Sequence, residues 1–540
     1  MSPHDSCKYA QIPLGNADFS AIRDEKMIYV DKTGLIATIA KERVPIFFSR
    51  PRRFGKTLLI NTMHCLFETG LQYFHGLDIE KVWDDTTYKV VHIDFSSLAD
   101  KNPAMFAVDL GETIIQKFRM NTLVSQMYCS RIRSPDRILD EICEGLQKKS
   151  VVLLIDEYDA PLTHHLGKDD ELQEIASILN DFYAVIKQYS SKFRFIFITG
   201  ITRASHVSIF SAFNNIIDIS LDPEYNALLG FTQNDIRCFF DDFVENAAHI
   251  LQMSKEDVYQ RLEQYYDGYQ FAIDAEETVY NPWSVINFLM RPRNGFCNYW
   301  FKSSGSSSII MKYVKTSHLF ESLTYDKLQQ YITEESLSDR YEISNLPLWV
   351  LLFQTGYVSI RKKADGVARF VFPNTEVEDS MLKVCFLENN IEPDIKFSEE
   401  IQKIAQDIDQ RRLGDIVKIF NAILNECVSI LSNIFNDERS VRDILYTALP
   451  QKIDFQKMKE RETVKGRSDL ELITKKTHMV IEFKRAKNER DAGSSLQNAI
   501  EQMERKRYGI GFYGKRDLYR VCMVISSDEK KILENYCMEL

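Results

Sequence analysis

The sequence predicts an α/β protein: a parallel sheet with flanking helices first, a helical and winged-helix-like middle, and a smaller α/β unit at the C-terminal end. Three observations carry that reading. Up to about residue 225, short apolar runs of strand length alternate with helical stretches. The first run leads directly into "SRPRRFGKTLL", residues 49–59, which ends in Gly55-Lys56-Thr57. Near the C-terminus, two strand-like runs place Asp469, Glu482 and Lys484 in one short hairpin.

With 540 residues, 44% of them hydrophobic and 12% aromatic, the chain holds enough for about three domains of ~150 residues with sizeable cores. Its longest apolar stretches are strand-sized, short of the ~20 residues that span a bilayer. The start, "MSPHDSCKYAQIPLG", has neither a basic opening nor an apolar core, so a cytoplasmic protein with no membrane partner is expected. The 10 cysteines include no C-x-x-C pair, which argues for reduced thiols and against zinc ribbons or a disulfide framework. The net charge of -11 argues against a uniformly basic nucleic-acid coat. It is unevenly spread: residues 451–520 carry 18 Lys+Arg against 11 Asp+Glu, or +7, which leaves -18 for the rest. A basic segment on an acidic chain points to a local anionic partner.

In chain order, residues 1–225 supply strand candidates at 44–49, 89–95, 151–155, 193–199 and 216–221. Their apolarity is continuous rather than alternating, as in strands buried on both faces of a parallel sheet. After the first strand, Gly55 allows close backbone approach, Lys56 supplies a charge for terminal phosphates, and the Thr57 hydroxyl can ligate Mg²⁺. Arg50 stands where a glycine is usual, which alters the turn without removing a phosphate ligand. "VVLLIDEYDAP" then ends a strand in Asp156-Glu157. Asp156 is expected to hold Mg²⁺ and Glu157 to polarise the attacking water. In "FRFIFITGITRAS", Thr199 or Thr202 would sense the γ-phosphate and Arg203 would stabilise its charge, with Arg52 and Arg53 as competitors for that task. A strand that simply ends in a polar loop fits the same stretch. A neighbouring subunit could supply such a charge as well, so a homo-oligomer is compatible with the site.

Residues 226–345 read as helical, with Thr232 as an N-cap. Residues 346–430 read as a helix stopped near Gly356, two strands joined around Asp365-Gly366, and further helices. A winged-helix module has that order, and so does a simple helix-plus-hairpin packing unit. In residues 431–540, period-2 alternation puts Glu482 and Lys484 on one face and Phe483 in the core. Asp469 across the hairpin would share a divalent cation with Glu482; two hard oxygen ligands suit Mg²⁺ or Mn²⁺. Lys484 would orient the attacking water and stabilise charge on a phosphate. An upstream acid, Glu438 or Asp443, would complete the site, the sequence leaving the choice open. A helix from "SLQNAIEQMERKRYG" places Leu496, Ile500 and Met503 on one face, and Arg505, Lys506 and Arg507 within reach of DNA phosphates. Three features are read as structure: His164-His165 as a solvated loop, "YYDGYQF" as core and turn, and Asp31 as a helix cap as readily as an adenine-pocket residue.

The phosphate loop, the Asp156-Glu157 strand and the Thr199 strand, with "YVDKT" (29–33), "VVHIDFSS", "YDGYQF" (266–271) and "YNPWSVINFL" (280–289), resemble the bacterial AAA-ATPase-like family. That family's loop typically reads R-P-R-R-F-G-K-[ST], so the missing glycine is a shared habit. The resemblance implies a P-loop NTPase domain binding ATP and Mg²⁺ through Arg53, Phe54, Gly55, Lys56, Thr57 and Asp156. The D-x12-E-x-K spacing of Asp469, Glu482 and Lys484 resembles the PD-(D/E)XK nuclease superfamily, whose fold is restriction-endonuclease-like. Ser468 replaces the usual Pro before the Asp, and Gln502 matches a polar position often found near the metal there. The expectation is therefore an ATP-dependent or ATP-regulated DNA nuclease. The competing readings are a nucleotide-switched scaffold with an inactive nuclease fold, and a nuclease whose loop binds ATP without turnover.

Overall fold

The computed structural model describes residues 11–121, 123, 134–203, 216–300, 310, 331–338, 341, 346–364, 366–388, 398–427, 438–449, 456–463, 466–474, 476–506, 508, 516–526 and 531–539. The chain forms two compact units, one of residues 1–318 and 329–378, the other of residues 319–328 and 379–540. This division differs from the four sequence segments. The hairpin after Gly356 goes with the N-terminal unit and the helices of 398–427 with the C-terminal one. The stretch "KSSGSSS" (302–308), whose composition suggests a linker, lies outside the described residues, as do Asp365 and Arg507.

The first unit is built on a five-stranded sheet of order β2-β3-β4-β1-β5. The strands are β1 (Ile46–Ser49), β2 (Lys89–Asp94), β3 (Val151–Asp156), β4 (Phe193–Gly200) and β5 (Ile217–Asp218), and all neighbours run parallel. β1, β3 and β4 are buried at every residue, as their unbroken apolar runs require of central strands covered on both faces. β5, at the sheet edge, is shorter than the sequence run; beyond it single bonds continue, such as Ile219 N–H to Phe47 O at 3.0 Å. Helices Lys56–Thr69, Pro103–Met120, Pro135–Glu144 and Asp169–Gln188 connect or flank these strands. β4 lies between β1 and β3 and runs parallel to both, so the carboxyl ends of all three strands lie side by side at one end of the sheet.

After the sheet, helices Gln233–Phe239, Asp241–Leu251, Lys255–Tyr266 and Pro282–Met290 enclose a second core containing Ile236, Val244, Tyr266, Phe288 and Phe296. Thr232 caps the first of these helices in a reciprocal capping box with Asp235. Asn281 caps the fourth, with Pro282 in its first turn. Helix Leu348–Thr355 stops at Gly356, whose φ of 88° is left-handed. β7 (Ser359–Ala364) and β8 (Val367–Val371) follow, then helix Thr375–Glu388, in the expected order. β6 (Tyr331–Thr333) adds a third antiparallel strand beside β8.

The second unit holds a mixed sheet of order β13-β12-β11-β10-β9. Its strands are β9 (Gln456–Thr463), β10 (Gly466–Ile473), β11 (Thr477–Ala486), β12 (Asp517–Ser526) and β13 (Ile532–Glu539). β10 and β11 form the expected antiparallel hairpin, and β11 and β12 are parallel. Helix Glu489–Lys506 makes the crossover that a parallel pair needs. It buries Met503 against Val480 and Cys522, with Leu496 and Ile500 partly covered. β13 follows β12 and pairs with it antiparallel at the sheet edge. Among the described cysteines none is bridged, and among the described residues no helix is long and apolar enough to cross a membrane.

Candidate functional site

At the end of β1 the backbone turns through two left-handed residues, Arg53 (φ 69°) and Gly55 (φ 99°). Gly55 is the N-cap of helix Lys56–Thr69, so the helix begins with backbone N–H groups facing the loop, a ready anion site. The Lys56 ammonium is buried and donates to the carbonyls of Arg50 (2.9 Å) and Pro51 (3.1 Å). Burial holds its pKa below the ordinary lysine value, against the pull of Glu157, Asp156 and Asp159.

The three sequence motifs converge on Asp156. Its carboxylate is 1% exposed and accepts from the Thr57 hydroxyl at 2.9 Å and the Thr199 hydroxyl at 2.6 Å. Thr202, the other sensor candidate, donates instead to Asp159 (2.7 Å). The Thr57 hydroxyl and Asp156 carboxylate form a hard-oxygen donor pair beside the loop, which fits Mg²⁺. Glu157 follows with φ 50°, a left-handed conformation that costs a non-glycine residue energy and tends to persist at functional sites. Burial raises its pKa, with Asp156 and Asp159 adding to the rise and Lys56 and Arg52 opposing it. A carboxylate with a raised pKa is a better proton acceptor.

The arginines of this region take different partners. Arg203 donates to Asp218 (2.8 Å) and to the Leu337 carbonyl (2.8 Å), so its guanidinium is fastened at the β5 edge. Arg50 is buried and donates to the carbonyls of Ser49 (2.9 Å), Ser220 (2.8 Å) and Tyr225 (3.0 Å). Phe54 is buried against Tyr269 and Phe271. Asp31 accepts from Thr33 N–H (2.8 Å) at the start of helix Thr33–Lys41, and Lys32 pairs with Asp235 at 2.6 Å. His165 is 1% exposed, with Nδ1 2.8 Å from the Pro161 carbonyl. That corrects the reading of His165 as solvated; only His164 is exposed. Asp159 was not singled out by the sequence. Fully buried, it accepts from Ile201 N–H (3.1 Å) and Thr202 N–H (2.7 Å) and so fixes the turn after β4. The repeat of Asp three residues after Asp156 was the available signal.

In the second unit, Glu482 is 1% exposed on β11 and accepts from Lys484 Nζ at 2.9 Å. The Gln502 amide donates to the same Glu482 oxygen. Asp469 accepts from the Phe483 N–H at 2.8 Å, which ties its carboxylate to the Glu482-Phe483-Lys484 strand. Burial raises the Asp469 pKa, opposed by the Phe483 N–H, Arg442 and Lys484, while Asp443 adds to the rise. Of the two upstream acids, Asp443 is buried and held by Arg442 at 2.8 Å. Glu438 opens helix Glu438–Ala448, and its side chain lies outside the described residues. Tyr508, absent from the sequence reading, is buried with its hydroxyl 3.2 Å from the Gln502 amide. A tyrosine six residues after Gln502 carries no periodic signal that would have marked it.

The acids Asp469 and Glu482 offer carboxylate oxygens with a lysine beside them, a donor set that fits Mg²⁺ or Mn²⁺. They do not form a tight trio with Asp443. Among the described residues the trio with ligand atoms within 4.8 Å of one another is Asp241, Asp242 and Glu245, on a helix surface remote in sequence from either motif.

Residues 13–210 match the family described as predicted AAA-ATPase, and residues 436–535 match the PD-(D/E)XK nuclease superfamily. The chain is 29% identical over 391 residues to an uncharacterized protein of the vnfD 5′ region of Azotobacter chroococcum, covering 71% of each chain. Both matches fall on the sites built above: Lys56, Asp156 and Glu157 within the first, Asp469, Glu482, Lys484 and Gln502 within the second. The chain therefore joins an AAA-ATPase-like domain to a C-terminal domain of the PD-(D/E)XK nuclease superfamily.

Proposed function

We propose that the protein binds and hydrolyses ATP in its first unit and cleaves DNA phosphodiester bonds in its second, as a cytoplasmic enzyme. The observation that carries the first half is the meeting of Thr57, Thr199 and Asp156 beside Lys56. Lys56 and the helix N–H groups would hold the phosphates, Thr57 and Asp156 would hold Mg²⁺, and Glu157 would take the proton of the attacking water. Bound Mg²⁺ neutralises charge on the phosphate oxygens.

The second half rests on Glu482, whose buried carboxylate gathers Lys484 and Gln502 next to Asp469. Asp469 and Glu482 would hold a divalent metal, which would supply a water of lowered pKa and polarise the phosphate. Lys484 orients the nucleophile, and Gln502 fixes the Glu482 carboxylate. Arg505 and Lys506, in the last turn of the crossover helix, are available to DNA phosphates. Incubating the purified protein with linear, circular and single-stranded DNA, with Mg²⁺ or Mn²⁺ and with or without ATP, tests both halves. Cleavage in no condition sinks the nuclease half and favours a nucleotide-switched scaffold; cleavage unaffected by ATP, with no phosphate released, leaves the loop a binding site only.

A further inference from the structure

The five residues that precede Gly55 are all held from the far side of the first unit. The Arg50 guanidinium lies 4.2 Å from the centroid of the Phe271 ring. Pro51 lies against Gly356, where an added Cβ would come within 2.9 Å of the proline Cβ. The Trp300 indole N–H donates to the Arg52 carbonyl at 3.3 Å. The Arg53 guanidinium stands 4.3 Å over the Trp283 ring. Phe54 meets Tyr269 edge-on at 4.9 Å.

Arg53 is the exceptional member. It adopts φ 69°, which an L-residue with a side chain rarely does and glycine does freely. Left-handed residues at Arg53 and again at Gly55 curl the backbone N–H groups to one side, the geometry of an anion-binding concavity. Something must offset the cost of placing an arginine there. The Trp283 face is suited to it, because stacking a guanidinium on an indole gains an attraction of similar size to that conformational cost. The indole is itself fixed. Asn281 caps its helix, the Trp283 N–H donates to the Tyr299 carbonyl (3.3 Å), and the adjacent Ser284 hydroxyl donates to buried Glu376 (2.6 Å).

We propose that Trp283 is a positioning residue of the nucleotide site: its ring holds Arg53 in the left-handed turn that aims the loop N–H groups at the phosphates. The "NPWS" stretch thereby does, from some 230 residues away, what a loop glycine does alone elsewhere. This inference rests on the loop being an ATP site.

A coupling experiment on the full chain separates positioning from general stability, with ATP affinity measured by calorimetry. Trp283→Leu should weaken ATP binding by about tenfold, and Trp283→Tyr, which keeps a ring face, should restore most of it. In an Arg53→Gly background the left-handed turn needs no support. There Trp283→Leu should cost less than about twofold relative to Arg53→Gly alone. Arg53→Ala, which leaves Trp283 in place but keeps the strained conformation, should bind ATP more weakly than Arg53→Gly. That comparison holds even if Trp283→Leu fails to fold. An equal loss on Trp283→Leu in both backgrounds, or Arg53→Ala binding as well as Arg53→Gly, overturns the positioning role. ATP binding by the parent protein with these outcomes refutes this inference alone; no ATP binding by the parent refutes it together with the ATP-site reading.

Discussion

Arg50 occupies the place where a phosphate loop usually has glycine, and it does so as a buried structural cation. Burial pulls its pKa down to about 9, partly offset by Asp218. Three backbone carbonyls and the Phe48 and Phe271 rings receive the guanidinium. Under the proposed function, Lys56 beside it is the phosphate ligand. Lys56→Ala should abolish detectable ATP binding, whereas Glu157→Gln should bind ATP normally and lose turnover by about 100-fold or more, the share of a general base. Titration calorimetry and a phosphate-release assay check the pair; tight ATP binding by Lys56→Ala would refute the loop assignment. Arg203 makes a contrasting case, because its guanidinium is paired with Asp218 at 2.6 Å and both are largely buried. Arg203→Ala should cost about 3 kcal/mol of stability, as expected when one partner of a buried pair is removed. A normal unfolding midpoint with selectively lost turnover would instead establish a catalytic charge. In the second unit, Asp469→Ala and Glu482→Ala should eliminate DNA cleavage. Lys484→Ala should keep Mn²⁺ affinity and lose rate, since its ammonium pairs with the Glu482 carboxylate as a cation and cannot ligate metal. A Glu482→Ala protein that cuts DNA at the parent rate would remove the nuclease claim.

At the scale of elements, the strands the sequence reading missed are β6, within the stretch read as helical, and the two edges of the second sheet. β9 reads "QKMKERET" and β13 "ILENYCME". The polar β9 edge discourages pairing with other chains and escapes a search for apolar runs; in β13 the Glu534-Asn535 pair interrupts the apolar residues. Element ends also hold a titration. Asp267 follows helix Lys255–Tyr266, and burial raises its carboxyl to about 6 despite hydrogen bonds from Gly268 N–H and Thr278. An unfolded Asp titrates near ~3.9. Between those values the folded protein holds the extra proton, so stability falls as pH rises through the window. Above it the ionised group costs the fold about 3 kcal/mol. Asp267→Asn should therefore gain stability relative to the parent between about pH 4 and 6, with the difference constant at higher pH. Urea unfolding of both proteins across that range measures it, and a difference that does not change with pH would contradict the assignment.

For the whole molecule, charge distribution is the informative quantity. An overall charge of -11 coexists with a +7 segment at 451–520 that contains Asp469, Glu482 and Lys484. If that segment meets DNA through phosphates, the logarithm of affinity should fall steeply and linearly with the logarithm of salt concentration, each neutralised phosphate adding about 0.9 to the slope for duplex DNA. Substituting Arg505 and Lys506 by Ala should reduce the slope by about 2. Gel-shift titrations in a catalytically silent Glu482→Ala background read this directly. A slope near zero would move DNA contact elsewhere.

What the sequence determined by itself was local and periodic. Continuous apolar runs specified β1 to β4, Gly356 the end of its helix, Thr232 a cap, and alternation the shared face of Glu482 and Lys484. Each depends on neighbours a few residues apart, so pattern suffices. The motif residues Thr57, Asp156 and Thr199 were legible too, but not that Asp156 rather than Asp159 would receive Thr199. Tertiary structure alone decided that pairing, because it follows from β4 lying between β1 and β3. It also decided that Arg203 faces Asp218, that Asp443 is buried beside Arg442, and that Trp283 lies under Arg53. These contacts join residues whose type is compatible with many partners. A cation, a carboxylate or an aromatic face acquires its role from what the fold carries to it, and burial then sets how strongly the two interact.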